Sequence, residues 1–313
     1  IMLGLRLIDG SLTLLPALFV LILAPEFFRP IREYASDYHA SLDGVNSLHT
    51  IESMIASVSV PPSTKTLPSW NESSTLELEG VSQAVLSGVT ASLKGYTRIG
   101  VVGTSGSRKS TLSRLLAGLE DPAAGAFVLD GRDTLTTLRY ESWEEQVAYI
   151  PQDPAIFHAS LRENLTFYNP QASDEHLHTV IEKLGLSELL VQLPQGLDTL
   201  IGEGAGGLSG GQAQRIALAR VVLDERKRII LFDEPTAHLD IETEMELKQA
   251  MVEVMQERLV VFATHRLHWL DTLDYLLVLE EGKLVEQGTT TQLLESTTHF
   301  ATLVRALRGG EAA

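Results

Sequence analysis

The chain has 313 residues, of which 44% are hydrophobic, and it carries a formal net charge of −17 and no cysteine. This length is enough to bury a sizeable core in one large domain or in two modest ones. The absence of cysteine excludes disulfides and thiolate metal sites. The acidic charge, without a Lys- or Arg-rich run, argues against a nucleic-acid partner and is typical of a solubilising surface.

An apolar stretch at residues 12–28, LTLLPALFVLILAPEFF, dominates the N-terminal part. It is close to the about 20 residues that a membrane-spanning helix needs, and residues 1–8 could extend it. Arg29 and Arg32 follow directly, which places the C-terminal end of the stretch in the cytoplasm. A signal peptide is disfavoured because a basic n-region and a small-residue cleavage site are both missing, whereas a buried core helix stays an alternative.

Beyond this stretch, apolar positions recur at helical spacing over residues 31–55, so the helix is predicted to continue out of the bilayer. Residues 60–62 (VPP) end it, and the polar residues 63–74 indicate a linker. Since the sequence opens on Ile1, we expect further membrane spans upstream.

Downstream of the linker, segments typical of strands and helices alternate. The predicted strands are residues 75–79, 97–102, 126–129, 147–150, 228–232 and 259–263, and the predicted helices are residues 112–119, 174–184, 187–193 and 213–223. The runs at 228–232 and 259–263 are almost continuously apolar, as expected of strands buried on both faces of a parallel sheet. The predicted fold class is therefore α/β with a mostly parallel sheet.

A glycine-rich turn between a strand and a helix carries the first chemical motif. It consists of Gly103, Thr104, Ser105, Gly106, Ser107, Arg108, Lys109, Ser110 and Thr111. Backbone N–H groups at such a turn, together with the helix dipole, favour a bound phosphate. In this phosphate loop Lys109 would reach the β- and γ-phosphates of a nucleotide, and the Ser110 hydroxyl would ligate Mg²⁺. An ordinary Gly/Ser-rich turn is the alternative.

Arg108 departs from the pattern G-x-x-x-x-G-K-[ST], which has glycine directly before the lysine. If the backbone at this position needs a positive φ, a non-glycine residue costs about 1–3 kcal/mol. A guanidinium beside polyphosphate is, on the other hand, attractive electrostatically. The loop is therefore predicted to bind phosphate, with Arg108 as its irregular position.

Two adjacent carboxylates, Asp233 and Glu234, follow the buried run at residues 228–232. Ligands bind at the carboxyl ends of strands in open α/β sheets, where such carboxylates can serve a metal and a water. Asp233 is predicted to hold the Mg²⁺ shell, and Glu234 to act as general base on the attacking water. A solvated charge pair is the alternative interpretation.

A second glycine-containing turn precedes the helix predicted at residues 213–223. It consists of Leu208, Ser209, Gly210, Gly211 and Gln212. Ser209 suits a helix N-cap, and the two glycines expose backbone N–H groups that can bind an anion. Gln152 in YIPQDP comes before this turn, and His265 in ATHR follows the run at residues 259–263.

This ordered set of motifs resembles the nucleotide-binding domain of ABC transporters over residues 76–307. The resemblance implies a P-loop NTPase fold with a helical subdomain, and ATP and Mg²⁺ as cofactors. By resemblance, residues 103–111 are Walker A, Gln152 the Q-loop, residues 208–212 the signature, residues 229–234 Walker B, residues 237–240 the D-loop, His265 the switch histidine and Glu203 a contact to the membrane helices. The resemblance thus implies nucleotide binding by residues 103–111 and 209–212, catalysis by Glu234, His265 and Gln152, and Mg²⁺ ligation by Ser110, Gln152 and Asp233.

Residues 23–40, LAPEFFRPIREYASDYHA, resemble the end of the last membrane helix of the CydD-type subunit of a heterodimeric thiol-reductant exporter. That family supports cytochrome bd assembly, and its transported species is described as cysteine or glutathione, with haem also proposed. The resemblance implies an ATPase in the plasma (inner) membrane with a CydC-type partner subunit and a small thiol substrate. An exporter of peptide, lipid or drug, a regulatory subunit without hydrolysis and a soluble ABC protein are the alternatives.

The resulting domain prediction is the end of a membrane domain at residues 1–60, a linker at 61–75, an ATP-binding domain at 76–309 and a tail at 310–313. Residues 80–86 lack the aromatic side chain that ABC domains usually stack on adenine. Such stacking is worth about 1–3 kcal/mol per base in single-stranded nucleic-acid sites. Because ABC domains close head to tail, we predict two unequal sites, with hydrolysis mainly at the Walker A of the partner.

Overall fold

The computed structural model describes residues 2–58, 65–202, 207–295 and 299–310. The chain divides into two units, Ile1–Pro61 and Pro62–Ala313. In the first unit the described residues form helices α1 (Met2–Ile8) and α2 (Leu14–Val58).

Helix α2 has 45 residues, a length of about 68 Å at 1.5 Å per residue. Its window Leu14–Ile31 has a mean hydropathy of 1.7 and is only 6% buried. By length and composition this window is suited to cross the roughly 30 Å hydrocarbon core of a membrane. The helix continues beyond it, as the spacing over residues 31–55 predicts, and the predicted end at residues 60–62 lies outside the described residues.

The second unit alternates strands and helices. Its strands are β1 (Thr75–Gln83), β2 (Leu86–Lys94), β3 (Arg98–Val102), β4 (Ala124–Leu129), β5 (Asp133–Leu135), β6 (Val147–Ile150), β7 (Ala159–Ser160), β8 (Leu200–Ile201), β9 (Ile229–Asp233), β10 (Leu259–Thr264), β11 (Tyr275–Glu280) and β12 (Lys283–Gly288). Its helices are α3 (Lys109–Leu116), α4 (Glu141–Glu144), α5 (Leu161–Leu165), α6 (Asp174–Lys183), α7 (Ser187–Gln192), α8 (Gly210–Val222), α9 (Ile241–Val254), α10 (Thr290–Glu295) and α11 (His299–Gly310).

A six-stranded sheet in the order β12-β11-β3-β10-β9-β6 forms the centre of this unit. All neighbours in it are parallel except β12, which is antiparallel to β11. Every residue of β9 and β10 is buried, which confirms the prediction of strands covered on both faces. The carboxyl ends of β3, β10, β9 and β6 therefore meet at one edge of the sheet, where ligands bind in folds of this class.

A second, antiparallel sheet in the order β2-β1-β4-β5 packs beside the first. The β1–β2 hairpin closes between Gln83 and Leu86, and Ala84 in its turn has a φ of 39°. This two-residue turn leaves no loop that could carry an adenine-stacking aromatic. Tyr96, the nearest aromatic side chain along the chain, packs against the hydrophobic core instead.

Residues 65–74, predicted to belong to a linker, lie on the surface of the second unit. Leu67 and Trp70 are each only 3% exposed. The Trp70 indole donates a hydrogen bond to the carbonyl of Gly95 at 2.7 Å, and its ring packs edge-on against Trp143. The segment that precedes β1 is thus anchored to the second unit by buried side chains.

The helical subdomain, α5 to α7, packs on α8 through a buried polar network. Arg220 of α8 is 7% exposed and donates to the carbonyl oxygen of Asn164 at 2.7 Å and to its side-chain oxygen at 2.9 Å. A third bond goes to the carbonyl of Ala155 at 2.9 Å. Because the buried guanidinium is satisfied by fixed acceptors, it holds the segment after β6 against α8.

The buried carboxylate of Glu244 anchors the start of α9. It is 1% exposed and forms an ion pair with Arg266. It also accepts hydrogen bonds from the Thr236 hydroxyl and, at 3.0 Å, from the Trp269 indole, and His268 lies at 3.1 Å. Burial alone would raise the pKa of Glu244, but these hydrogen bonds and the neighbouring cations lower it. Glu244 is therefore ionised near neutral pH.

We expect Glu244→Ala to lower the free energy of unfolding by about 3 kcal/mol, because it leaves Arg266 without its buried counter-ion. Glu246→Ala is the matched control, since Glu246 lies on the same helix and pairs with Arg215 while 65% exposed. An exposed pair of this kind contributes at most about 1 kcal/mol. Urea unfolding followed by tryptophan fluorescence measures both variants, because all three tryptophans lie in the second unit. Equal losses would contradict this account.

Candidate nucleotide-binding site

The phosphate loop lies between β3 and α3, in the strand–turn–helix order that the motif requires. At Gly103 an added Cβ would lie 2.2 Å from the carbonyl oxygen of Leu279, so glycine alone fits there. Gly106 has a φ of +81°, a conformation that side chains rarely adopt. The turn is closed by a hydrogen bond of 3.1 Å from the Ser107 amide to the carbonyl of Thr104.

Arg108 has a φ of 76° and a ψ of 28°, directly before the first residue of α3. The left-handed backbone that the motif glycine normally allows is therefore present, and an arginine adopts it at a cost of about 1–2 kcal/mol. Its side chain is exposed on the same turn and makes no capping hydrogen bond to the helix.

Lys109 opens α3 with an ammonium group that is almost completely buried, at 3% side-chain exposure. Its Nζ donates to the carbonyls of Gly103 at 3.1 Å and Thr104 at 3.2 Å, and it lies 3.1 Å from Oε1 of Glu234. A buried cation needs such partners. Phosphate oxygens at the mouth of the loop would compete with these same partners for the ammonium.

Ser110 and Asp233 supply adjacent oxygen atoms. The Ser110 hydroxyl donates to Oδ1 of Asp233 at 2.8 Å, and the Tyr149 hydroxyl donates to Oδ2 at 2.7 Å. Burial, followed by the hydrogen bond to Asp233, raises the pKa of Tyr149, so the phenol stays protonated. A hydroxyl beside a carboxylate is an oxygen donor set of the kind that Mg²⁺ takes together with nucleotide phosphates and water, so these residues fit the ion.

Glu234 and His265 lie at the same edge of the sheet, directly after β9 and β10. Glu234 has a φ of 48°, a strained conformation for a glutamate of the kind found at functional sites. Its Oε2 lies 3.1 Å from Nδ1 of His265, which follows β10, while Oε1 faces Lys109. One carboxylate thus touches both the lysine of the phosphate loop and the histidine.

These contacts form two groups, Ser110 with Asp233 and Lys109 with Glu234 and His265. The two groups adjoin because Ser110 follows Lys109 and Glu234 follows Asp233 in the chain, and together they form a five-residue cluster. Tyr149 is a member that the motifs do not indicate. Tyr149 is a polar side chain on β6, and it pairs in register with Leu231 of the buried strand β9. A polar residue in such a strand is the sequence feature that could have indicated its role.

Gln152 lies just beyond β6, at the same edge of the sheet. Its Nε2 lies 2.8 Å from Nε2 of His238, and Nδ1 of His238 lies 3.0 Å from Oδ1 of Asp153. Within the described part of the chain, no hydrogen bond or ion pair joins the Gln152 side chain to the five-residue cluster. His238 lies in the segment predicted as D-loop, but its contact with Gln152 was not predicted from the sequence.

The turn before α8 forms a regular capping box. The Ser209 hydroxyl accepts from the Gln212 amide at 3.2 Å, and the Gln212 side chain accepts from the Ser209 amide at 2.9 Å. A Cβ on Gly211 would lie 2.7 Å from the Thr243 methyl group, so α8 packs closely on the start of α9. Glu203 lies outside the described residues.

Ser209 and Gly210 are exposed, and among the described residues no hydrogen bond or ion pair links this helix tip to the phosphate loop. Within one chain, the lysine, the carboxylates and the histidine therefore lie together. Residues 209–212 of the same chain make no described contact with them.

Comparisons with known proteins agree with this architecture. Residues 86–237 match the family described as ABC transporter. The chain is 45% identical over 314 residues to the glutathione/L-cysteine transport system ATP-binding/permease protein CydC of Bacillus subtilis, covering 100% of this chain and 55% of that protein. It is 33% identical over 303 residues to the corresponding protein CydD of Escherichia coli, covering 95% and 51%.

A solved structure, that of a bacterial Atm1-family ABC exporter with ATP bound, superposes with a TM-score of 0.74 and 27% identity over 93% of this chain and 52% of that chain. The chain spans about half the length of the curated relatives it matches. The resemblance to the CydD type is thus accompanied by similarity to CydC as well. Residues 86–237 thus form a domain of the ABC transporter family, and the chain as a whole is similar to the transport proteins CydC and CydD and to an Atm1-family ABC exporter.

Proposed function

We propose that this chain is an ATP-binding and hydrolysing subunit of a heterodimeric ABC exporter for thiol reductants, cysteine or glutathione. The observation that carries the ATPase proposal is the convergence of Lys109, Ser110, Asp233, Glu234 and His265 at one edge of the parallel sheet. The motifs at residues 103–111 and 229–234 come together there with the charges that phosphoryl transfer needs.

In the proposed mechanism the amides of the phosphate loop receive the β- and γ-phosphates, and Lys109 exchanges Glu234 for phosphate oxygens. Ser110 and Asp233, together with Gln152, would hold Mg²⁺, which when bound offsets negative charge on the phosphates. Glu234, released from the lysine, would accept a proton from the attacking water. His265 would then contact the γ-phosphate.

Hydrolysis is proposed to require a partner subunit, because the exposed helix tip at residues 209–212 is separate from the phosphate loop. In a head-to-tail pair, this tip would close on the nucleotide held by the phosphate loop of the partner. The site built on Lys109 carries Arg108 and lacks the adenine-stacking aromatic, whereas this tip is regular. We therefore propose that hydrolysis runs mainly at the phosphate loop of the partner subunit.

The substrate proposal is supported by the similarity to two proteins described as glutathione/L-cysteine transport components. It places the assembly in the plasma (inner) membrane, with the ATP-binding unit in the cytoplasm and a role in cytochrome bd assembly. The apolar window Leu14–Ile31 of α2 supports the membrane location. Another exported substrate and a largely regulatory role remain the alternatives.

A transport assay with the full-length exporter and its partner subunit tests the proposed identity of the transported substrate. Inverted membrane vesicles should take up labelled cysteine or glutathione when ATP is supplied, and should not take up a labelled peptide, lipid or drug. Vesicles given a non-hydrolysable ATP analogue are the control. ATP-dependent uptake of one of the other substrates without thiol uptake would replace the proposed cargo.

Two substitutions in this chain test whether the two nucleotide sites contribute unequally to hydrolysis. Ser209→Arg places a large side chain at the helix tip that serves the partner, and we expect it to lower the ATPase rate of the heterodimer by more than about 100-fold, as loss of a catalytic site does. Glu234→Gln acts at the Lys109 site and should lower the rate less than about threefold. If Glu234→Gln abolishes the activity as fully as Ser209→Arg, the two sites are equivalent.

Replacing Arg108 by glycine tests the irregular position. Glycine adopts a φ of 76° without strain, and it frees the space beside the phosphates, so Arg108→Gly should stabilise the fold by about 1 kcal/mol and tighten nucleotide binding by several-fold. Arg132→Gly, an exposed substitution outside the loop, is the control and should leave nucleotide affinity unchanged. Equilibrium binding of a fluorescent ATP analogue measures both. Unchanged binding in Arg108→Gly would show that this arginine does not impair the site.

A further inference from the structure

We propose that His238 is a positioning residue that orients the carboxamide of Gln152, so that its oxygen is presented to Mg²⁺. The inference rests on the proposed function, since it assigns Gln152 to the metal at the Lys109 site. Its basis is the chain of two contacts, from Gln152 to His238 and from His238 to Asp153, which joins the end of β6 to the segment after β9.

The two contacts define the hydrogen-bonding roles of the imidazole. The Gln152 atom that faces His238 is the amide nitrogen Nε2, at 2.8 Å, and an amide nitrogen can only donate. In this contact Nε2 of His238 is the acceptor, and the ring nitrogen that carries a proton is Nδ1. That proton points at the carboxylate of Asp153, where Oδ1 lies at 3.0 Å. Asp153 thus fixes the tautomer that holds the Gln152 nitrogen.

In this arrangement the amide nitrogen of Gln152 faces His238, and among the described residues its amide oxygen makes no hydrogen bond. If the carboxamide rotated by half a turn, its oxygen would face the lone pair on Nε2 of His238, an unfavourable contact. A carbonyl oxygen is the only atom of glutamine that can ligate Mg²⁺. The imidazole therefore selects the amide orientation that a metal ligand needs.

The backbone of Gln152 is already fixed by a different residue. Gln214 of α8 is 3% exposed, and its side-chain nitrogen donates to the carbonyl of Gln152 at 2.9 Å. With the main chain held in this way, the remaining freedom lies in the side-chain torsions and in the amide flip. His238 acts on this remaining freedom.

His238 itself projects from a segment with firm supports. Arg266 donates to the carbonyls of Ala237 at 3.1 Å and Leu239 at 3.4 Å, on either side of the histidine. Arg266 is in turn paired with the buried Glu244. The imidazole is thus held by a backbone tied to the core, although its side chain is 60% exposed.

The effect of this contact is modest and specific, because a single hydrogen bond at an exposed site changes an equilibrium by about two- to tenfold. We expect His238→Ala, in the full-length exporter with its partner subunit, to raise the Mg²⁺ concentration needed for half-maximal binding of a fluorescent non-hydrolysable ATP analogue by about fivefold. Binding of the same analogue in EDTA should not change, since the phosphate loop is untouched.

His238→Gln is the rescue variant, because the amide oxygen of a glutamine can accept from Gln152 as Nε2 does. It should return the Mg²⁺ requirement to within about twofold of the wild type. His178 is an exposed histidine on α6 whose imidazole contacts the carbonyl of Asp174 on the same helix. His178→Ala is therefore the matched control and should behave as the wild type.

The outcomes separate this inference from the proposed function. If analogue binding by the wild type depends on Mg²⁺ and His238→Ala has the same Mg²⁺ requirement, the role of His238 is overturned and the proposed nucleotide site is not. Equal losses of binding in Mg²⁺ and in EDTA also overturn it, since they indicate general damage to the site. A wild type that binds the analogue neither in Mg²⁺ nor in EDTA overturns the proposed nucleotide site and this inference together.

Discussion

The position of β10 between β3 and β9 is the constraint on which the site depends. In the parallel register Ala263 lies opposite Val101 on one side and Asp233 on the other, so all three strands end at the same level. The phosphate loop, the two carboxylates and the histidine each begin within two residues of these ends. Because β9 and β10 are buried on both faces, a shift in register would move apolar side chains out of the core, and the alignment is therefore strongly specified.

Charge compensation explains the internal arrangement of the site. Lys109 is nearly buried, and a buried ammonium is stable only with close acceptors, which two loop carbonyls and Glu234 provide. Glu234 in turn contacts both this lysine and His265. In the proposed mechanism an incoming polyphosphate would replace the carboxylate as the counter-ion of the lysine, so nucleotide binding and release of Glu234 would be linked by electrostatics. The strained backbone of Glu234 keeps it at the point where both partners can be reached.

The sequence predicts this framework well where local pattern and burial coincide. The apolar runs at 228–232 and 259–263 indicate buried parallel strands, and the glycine pattern of the phosphate loop requires a strand before it and a helix after it. The contacts of Tyr149 and His238 depend instead on which strands become neighbours and in what register, which no local pattern contains. The sequence patterns also predict no strand at β2, β11 or β12; β2 and β12 alternate small and polar residues as loops do, whereas β11 is an apolar run.

The contacts that support the site also extend towards the helix tip at residues 209–212. Arg266 follows His265 directly and pairs with Glu244, which lies next to Thr243 at the start of α9. The methyl group of Thr243 is the contact that leaves no room for a side chain on Gly211 of α8. A buried ion pair and a close helix contact therefore lie between the histidine segment and the turn at residues 209–212. In the proposed head-to-tail pair, this close packing would connect the two nucleotide sites through each chain.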